Sequence, residues 1–226
     1  MPYGAHEAME AHEILCEKTL MIEHFAMYAG QAQDPSLRNM LEHHITQAAR
    51  SYDELVSYTH DYHAVTPQAP HMAQMATPQS IQYGLRNPAP AAPQMHGGRM
   101  SDEQIAASML CAHKNSAKNH LAAALECADP HLRQMMVNGA NQCAFASYEV
   151  FRYMNHHGWY QVPTLQDNTA KTMLHHHQPI TGSFVGAAQR QGMHMQSGST
   201  QRSMQMQGGG MYGTGAQAPV SPYGYQ

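Results

Sequence analysis

One stretch of this sequence is written twice, and that constrains the fold more than any other feature. Leu15-Cys16 returns as Leu110-Cys111. Asp34-Pro35-x-Leu37-Arg38-x-Met40 returns as Asp129-Pro130-x-Leu132-Arg133-x-Met135, at the same offset of 95 residues. Ala11 and Ala29 map onto Ala106 and Ala124 at this offset. Ser51-Tyr52-Asp53 maps onto Ser147-Tyr148-Glu149 at an offset of 96, as though one residue had been inserted. Five identities in seven positions, in register with a second match, identify an internal duplication. Whatever one unit folds into, the chain makes it twice.

Each unit reads as a helical hairpin. Between Glu7 and Gln33 there is no proline, and the apolar positions Leu15, Ile22, Phe25, Ala26 and Ala29 recur near the helical period. Asp34-Pro35 then supplies an N-cap acceptor followed by proline at the first helical position, where its missing N–H costs nothing. The helix it opens carries Leu37, Leu41, Ile45, Ala48, Tyr52, Leu55 and Val56. In the second unit Ser101-Asp102-Glu103-Gln104 has the form of a capping box. Ile105, Met109, Ala112, Leu121 and Leu125 follow it, and Asp129-Pro130 starts a helix through Leu132, Met136, Phe145, Tyr148, Phe151 and Met154. Asn155-His156-His157-Gly158 suits a helix end, with glycine free to adopt positive φ. Thr164 to Leu174 can add a short fifth helix. Two amphipathic hairpins cannot bury their apolar faces alone, so the expected fold is all-α, a four-helix bundle of duplicated hairpins. Both up-down and long-crossover topologies are open to it, and the duplication favours the crossover, ferritin-like one.

Charge divides the chain further. Only 12% of the 226 residues are charged, about half the usual share, and all sixteen acids lie between Glu7 and Asp61 or between Asp102 and Asp167. The stretches 63–100 and 178–226 are rich in Pro, Gln, Gly and Met and contain no acid. Such composition buries too little apolar surface to offset chain entropy, so both are expected to be mostly disordered. The expected organisation is a first hairpin at 5–62, a linker at 63–100, a second hairpin with a short extra helix at 101–177, and a tail at 178–226. A net charge of -4 without basic blocks argues against binding nucleic acid through phosphate neutralisation. No apolar run approaches the roughly 18 residues that span a bilayer, and MPYGAHEAME lacks the basic start and apolar stretch of a secretory signal.

The second unit resembles the coat F family of bacterial spore coat proteins. The matching features are Asp102-Glu103-Gln104-Ile105-Ala106, Asp129-Pro130-x-Leu132-Arg133, and Tyr153-Met154 with Gly158-Trp159-Tyr160. The resemblance covers residues 101–174 and extends more weakly, through the duplication, to residues 6–62. Leu121 stands where the family would carry an aromatic. The resemblance implies a ferritin-like helical bundle in a spore coat, with no catalytic residues to carry over.

An enzyme of the same fold would need a metal centre. Ferritin-like di-metal centres need Glu-x-x-His on two helices, and none of the ten glutamates has histidine three places on. No catalytic, cofactor-binding or metal-ligating residue is therefore assigned, and no cofactor is expected. His6, Glu10, Glu13 and Glu17 form a stripe that reads as a solvated face, and His175-His176-His177 reads as an exposed tract. Cys16, Cys111, Cys127 and Cys143 lack zinc spacing and read as small hydrophobes on helices, with a Cys16–Cys111 disulfide across the pseudo-twofold axis left open. Met109, Met135 and Met154 belong to the core, while Met193, Met195, Met204, Met206 and Met211 suit adaptable contacts with other proteins. Tyr212, Tyr223 and Tyr225 and the abundant Gln are candidates for stacking or cross-linking. The expected function is a non-enzymatic structural component of the spore coat, made in the mother-cell cytoplasm. Its expected partners are other coat proteins, with homo-oligomerisation open and no nucleic acid. The alternative is a ferritin-like metal-binding or oxidative enzyme with a degenerate ligand set.

Overall fold

A computed structural model describes residues 3–61, 77–86, 92–93, 98–177 and 179–180. Nearly all of the 178–226 tail and much of the 63–100 stretch lie outside them. The chain divides into two units, Met1–Thr164 and Leu165–Gln226.

Four long helices make the first unit: α1 (Ala5–Ala29), α2 (Pro35–Asp61), α3 (Asp102–Glu126) and α4 (Pro130–His156). The expected start signals act as written. Ser101 accepts from the Gln104 amide while the Gln104 side chain accepts from the Ser101 amide. Asp129 accepts from the His131 and Leu132 amides, and Asp34 accepts from the Ser36 amide. At the end of α4, Gly158 adopts φ +76°, and its amide reaches the Asn155 carbonyl while the Trp159 amide reaches that of Met154. This is the Schellman arrangement, which needs a left-handed residue where glycine stands.

Contacts at the helix ends define the topology. Glu7, at the start of α1, accepts from the Ala128 and Asp129 amides at 2.8 and 3.0 Å. Asp102, at the start of α3, accepts from the Gln33 and Asp34 amides at 2.8 and 3.0 Å. The Tyr58 hydroxyl donates to Asp129 at 2.6 Å, and the Tyr153 hydroxyl donates to Asp34 at 2.7 Å. Hence α1 runs antiparallel to both α2 and α3, and α4 antiparallel to both α3 and α2. The parallel helices α2 and α3 lie on the diagonal, so the chain from Asp61 to Ser101 runs the length of the bundle. That is the long-crossover, ferritin-like arrangement. At its far end the crossover is held by Arg99, which donates to the Gln31 carbonyl, and by the Met100 amide, which donates to the Gln31 side chain.

Each of these contacts has its counterpart 95 residues away: Glu7 with Asp102, Asp34 with Asp129, and Tyr58 with Tyr153. The offset therefore holds to the ends of α2 and α4, which are both 27 residues long. No residue is inserted in the second copy. The apparent 96-residue match of Ser51-Tyr52-Asp53 with Ser147-Tyr148-Glu149 is out of register with the buried seam, in which Leu55 corresponds to Val150.

The core is two apolar clusters related by the same offset. One gathers Phe25, Leu37, Leu41, Ile105, Met109 and Val150, and the other Ile14, Leu55, Leu132, Met135 and Met136. The buried seam of α1 passes through Ala11, Ile14, Lys18, Met21 and Phe25 rather than the expected Leu15, Ile22 and Ala26. In α3 the expected Leu121 and Leu125 face outward, 52% and 67% exposed, while His113, Ser116 and His120 point inward. Hydrophobicity alone misplaced these faces because the bundle buries a polar layer at mid-height.

Within the 63–100 stretch, residues 77–86 take a defined path. Pro78–Ser80 forms a 3-10 turn, and Tyr83 and Gly84 make an isolated bridge with Val162. Buried Asn155 holds this segment, its side chain donating to the carbonyls of Gln82 and Tyr160 and accepting from the Gln82 amide. The second unit contains a short amphipathic helix, α5 (Asp167–His175), within the interval expected for one.

Candidate functional site

Between the two apolar clusters lies a layer of buried polar side chains: Lys18, His44, His113, Ser116 and His120. Ser51 and Cys143 border it. This layer is the part of the bundle that packing alone does not explain, because buried polar groups cost free energy unless they are paired.

The directions of its hydrogen bonds follow from the acceptors that cannot donate. The Glu149 carboxylate accepts from His44 Nε2 at 3.1 Å, which in the neutral ring leaves the lone pair on Nδ1. That lone pair accepts from His113 Nε2 at 3.0 Å, and His113 Nδ1 is left as a buried acceptor without a partner. His120 donates through Nδ1 to the Ser116 carbonyl at 2.9 Å, so His120 Nε2 is a second such acceptor. Lys18 donates to the Ser51 hydroxyl at 2.9 Å, and no carboxylate among the described residues lies within ion-pair distance of it.

The electrostatics match this geometry. Burial, reinforced by His44 and Lys18, pushes His113 down to about 3, and burial with Lys18 pushes His120 down to about 3. Both imidazoles are neutral at pH 7. Burial also lowers the Lys18 ammonium and raises the Cys143 thiol. The hydrogen bond from His44 holds the Glu149 carboxyl below its usual value, whereas burial raises that of Glu54.

Gly139 makes room for His120. A Cβ at position 139 would lie 2.2 Å from His120 Cδ2, and the ring cannot swing aside because its Nδ1–H is bound to the Ser116 carbonyl. Gly139→Ala is therefore expected to destabilise the bundle by about 1–3 kcal/mol through overpacking, although alanine is the better helix former by about 1 kcal/mol. In a His120→Ala background the sign should reverse. Urea unfolding of the single and double variants measures both effects, and a destabilising Gly139→Ala in the His120→Ala background would refute the contact.

The residues singled out in the sequence fall elsewhere. Glu10, Glu13 and Glu17 line an open groove between α1 and α3, where Glu17 accepts from Asn119 at 2.8 Å. His6 lies 3.7 Å from Glu126 at the exposed start of α1. His175, His176 and His177 are exposed in the second unit. All four cysteines are free thiols, Cys16 and Cys111 exposed and Cys127 and Cys143 buried. Burial raises Cys127 to about 11, so neither buried thiol is an activated nucleophile. Among the described residues no group of three or more His, Cys, Asp or Glu is placed to hold a metal ion. The sequence reading missed Lys18, His44, His113 and His120. Their signal was inward spacing on three helices, α1, α2 and α3, visible only once the seam is known.

Residues 101–163 match the Coat F domain. The second hairpin therefore carries a Coat F domain. The chain is 25% identical over 194 residues to the spore coat protein F-like protein YhcQ of Bacillus subtilis (strain 168), covering 84% of this chain and 89% of that protein. Its fold is similar to the crystal structure of a candidate spore coat protein from Bacillus halodurans C-125, with a TM-score of 0.55 at 15% identity, covering 74% of this chain and 97% of that one. The Coat F domain match spans α3 and α4. It therefore includes His113, His120 and Gly139, while Lys18 and His44 come from the duplicated first half.

Proposed function

We propose that this protein is a non-enzymatic structural component of a bacterial spore coat, made in the mother-cell cytoplasm and deposited on the forespore. The observation that carries this reading is the similarity to a spore coat protein F-like relative across most of both chains, together with the Coat F domain match at residues 101–163. A structural role fits a bundle whose buried histidines are neutral and whose buried thiols are unactivated. Assembly with other coat proteins proceeds through bundle faces and through the acid-free stretches 63–100 and 178–226, where little like-charge repulsion opposes close approach. Several weak contacts of this kind add through effective concentration.

A fluorescent fusion followed through sporulation tests the proposal. The expected result is a shell of signal around the forespore, appearing only in sporulating cells. Diffuse signal throughout, or synthesis confined to vegetative growth, would refute the coat role. A fusion lacking residues 178–226 tests the assembly route, and it should be released more readily by detergent extraction than the full chain.

A further inference from the structure

The two halves of the polar layer differ, and one of the differences leaves a hole. In one half the His44 ring joins Glu149 to His113. The 95-residue correspondence puts Glu54 opposite Glu149, Lys18 opposite His113, His120 opposite Phe25 and Gly139 opposite His44. Glycine has no ring to contribute, so the bridge is absent there. In its place is a cavity of about 100 Å³, lined by Lys18, Ser51, Glu54, His120, Gly139 and Gln142 among others. The His120 ring fills part of the vacated space, since it stands where a Cβ on residue 139 would be.

The groups around this cavity retain unused bonding capacity. Glu54 has no hydrogen-bond or ion-pair partner among the described residues, although its counterpart Glu149 accepts from His44. Lys18 uses one of its three N–H donors on Ser51. His120 Nε2 is buried without a partner, with His120 1% exposed.

We propose that this cavity binds a small planar nitrogen heterocycle of the imidazole class, seated as the His44 ring is seated in the other half. Its N–H donates to the Glu54 carboxylate, as His44 Nε2 donates to Glu149. Its second nitrogen accepts from the Lys18 ammonium, as His44 Nδ1 accepts from His113. The size agrees, because an apolar cavity of roughly 150 Å³ accepts benzene and a five-membered ring is smaller. Both α2 and α4 line the cavity, and they are the least closely packed neighbouring pair in the bundle. The ring enters between them, and a substituent on it would leave past the exposed Arg50.

Imidazole itself is the probe, titrated into the full-length chain, purified free of imidazole, at about pH 8 where the ring is neutral. Binding is read by amide shifts in an NMR titration and by thermal melting. The expected result is a saturable shift around Gly139 and a rise in Tm, with Kd in the millimolar range that so small a ligand allows. Thiophene, a five-membered ring without nitrogen, should bind at least about tenfold more weakly, and Glu54→Gln should weaken imidazole binding by about tenfold. No saturable shift, an equal response to thiophene, or unchanged binding in Glu54→Gln would each overturn the proposal. If that variant does not fold, the comparison of imidazole with thiophene on the unaltered chain decides.

Discussion

Acidification from about pH 7 to about pH 4.5 is expected to remove about 5 kcal/mol of stability, enough to unfold a bundle of ordinary stability. The cause is the pair of buried neutral histidines. Each has a folded value of about 3, well below the ordinary value of 6.5 that it regains on unfolding. As pH falls through 6.5 the unfolded chain takes up protons that the folded chain cannot, so stability is lost progressively between 6.5 and 3. At about pH 4.5 each histidine accounts for about 2.7 kcal/mol, at 1.36 kcal/mol per pH unit. The lowered carboxyls of Glu7, Asp34, Asp129 and Glu149 add their own losses at lower pH, as pH falls from their ordinary values through their folded ones. Lys18 acts in the opposite sense to the carboxyls, as a penalty rather than a gain. Its value is lowered by burial, so its penalty is relieved as pH rises from the folded value toward the unfolded one. Far-UV circular dichroism across a pH series measures the transition. His120→Phe, which places in the second half the residue the first half has at Phe25, should remove about half of the loss. An unfolding profile flat between pH 7 and 4.5, or one unaffected by His120→Phe, would contradict the buried-neutral assignment.

Asp129→Ala is expected to cost about 2–4 kcal/mol, more than a surface carboxylate normally contributes. Asp129 caps α4 through the His131 and Leu132 amides and accepts from the Tyr58 hydroxyl. Burial pushes its carboxyl up, but these three hydrogen bonds outweigh that and hold it below its ordinary value. Tyr58 is buried, so losing its acceptor strands a hydroxyl in an apolar setting. Tyr58→Phe in the Asp129→Ala background should therefore recover part of the loss, because both partners are then gone. Chemical denaturation of the four-protein cycle gives the coupling directly. The mirror change Asp34→Ala breaks the Tyr153 clamp at the opposite end of the bundle, and the two losses should add. Additivity failing by more than about 1 kcal/mol would argue against independent clamps.

Much of the fold was legible in the residues. The Asp-Pro pairs, the Ser101–Gln104 capping box and the glycine after His157 mark helix ends through local backbone chemistry, which neighbouring elements scarcely alter. The duplication also carried the topology, since a hairpin repeated with pseudo-twofold symmetry packs most simply with a long crossover. The buried faces were less legible. Leu121 and Leu125 look like core residues by hydropathy, yet the seam of α3 passes instead through His113, Ser116 and His120. Composition cannot show that these histidines are neutral. Their burial depends on four helices meeting at once, and Gly139 matters only because His120 crosses to it from another helix.

By itself, then, the sequence determined the helices, their caps, the repeat and the hairpin pairing, because each rests on interactions within a few residues or on the equivalence of two copies. Tertiary packing decided which stripe of each helix turned inward. It also decided that His44 would bridge Glu149 and His113 in one half while Gly139 left the matching space open in the other. A buried polar group can be evaluated only against the partners brought to it by other helices, and those partners lie up to 122 residues away along the chain.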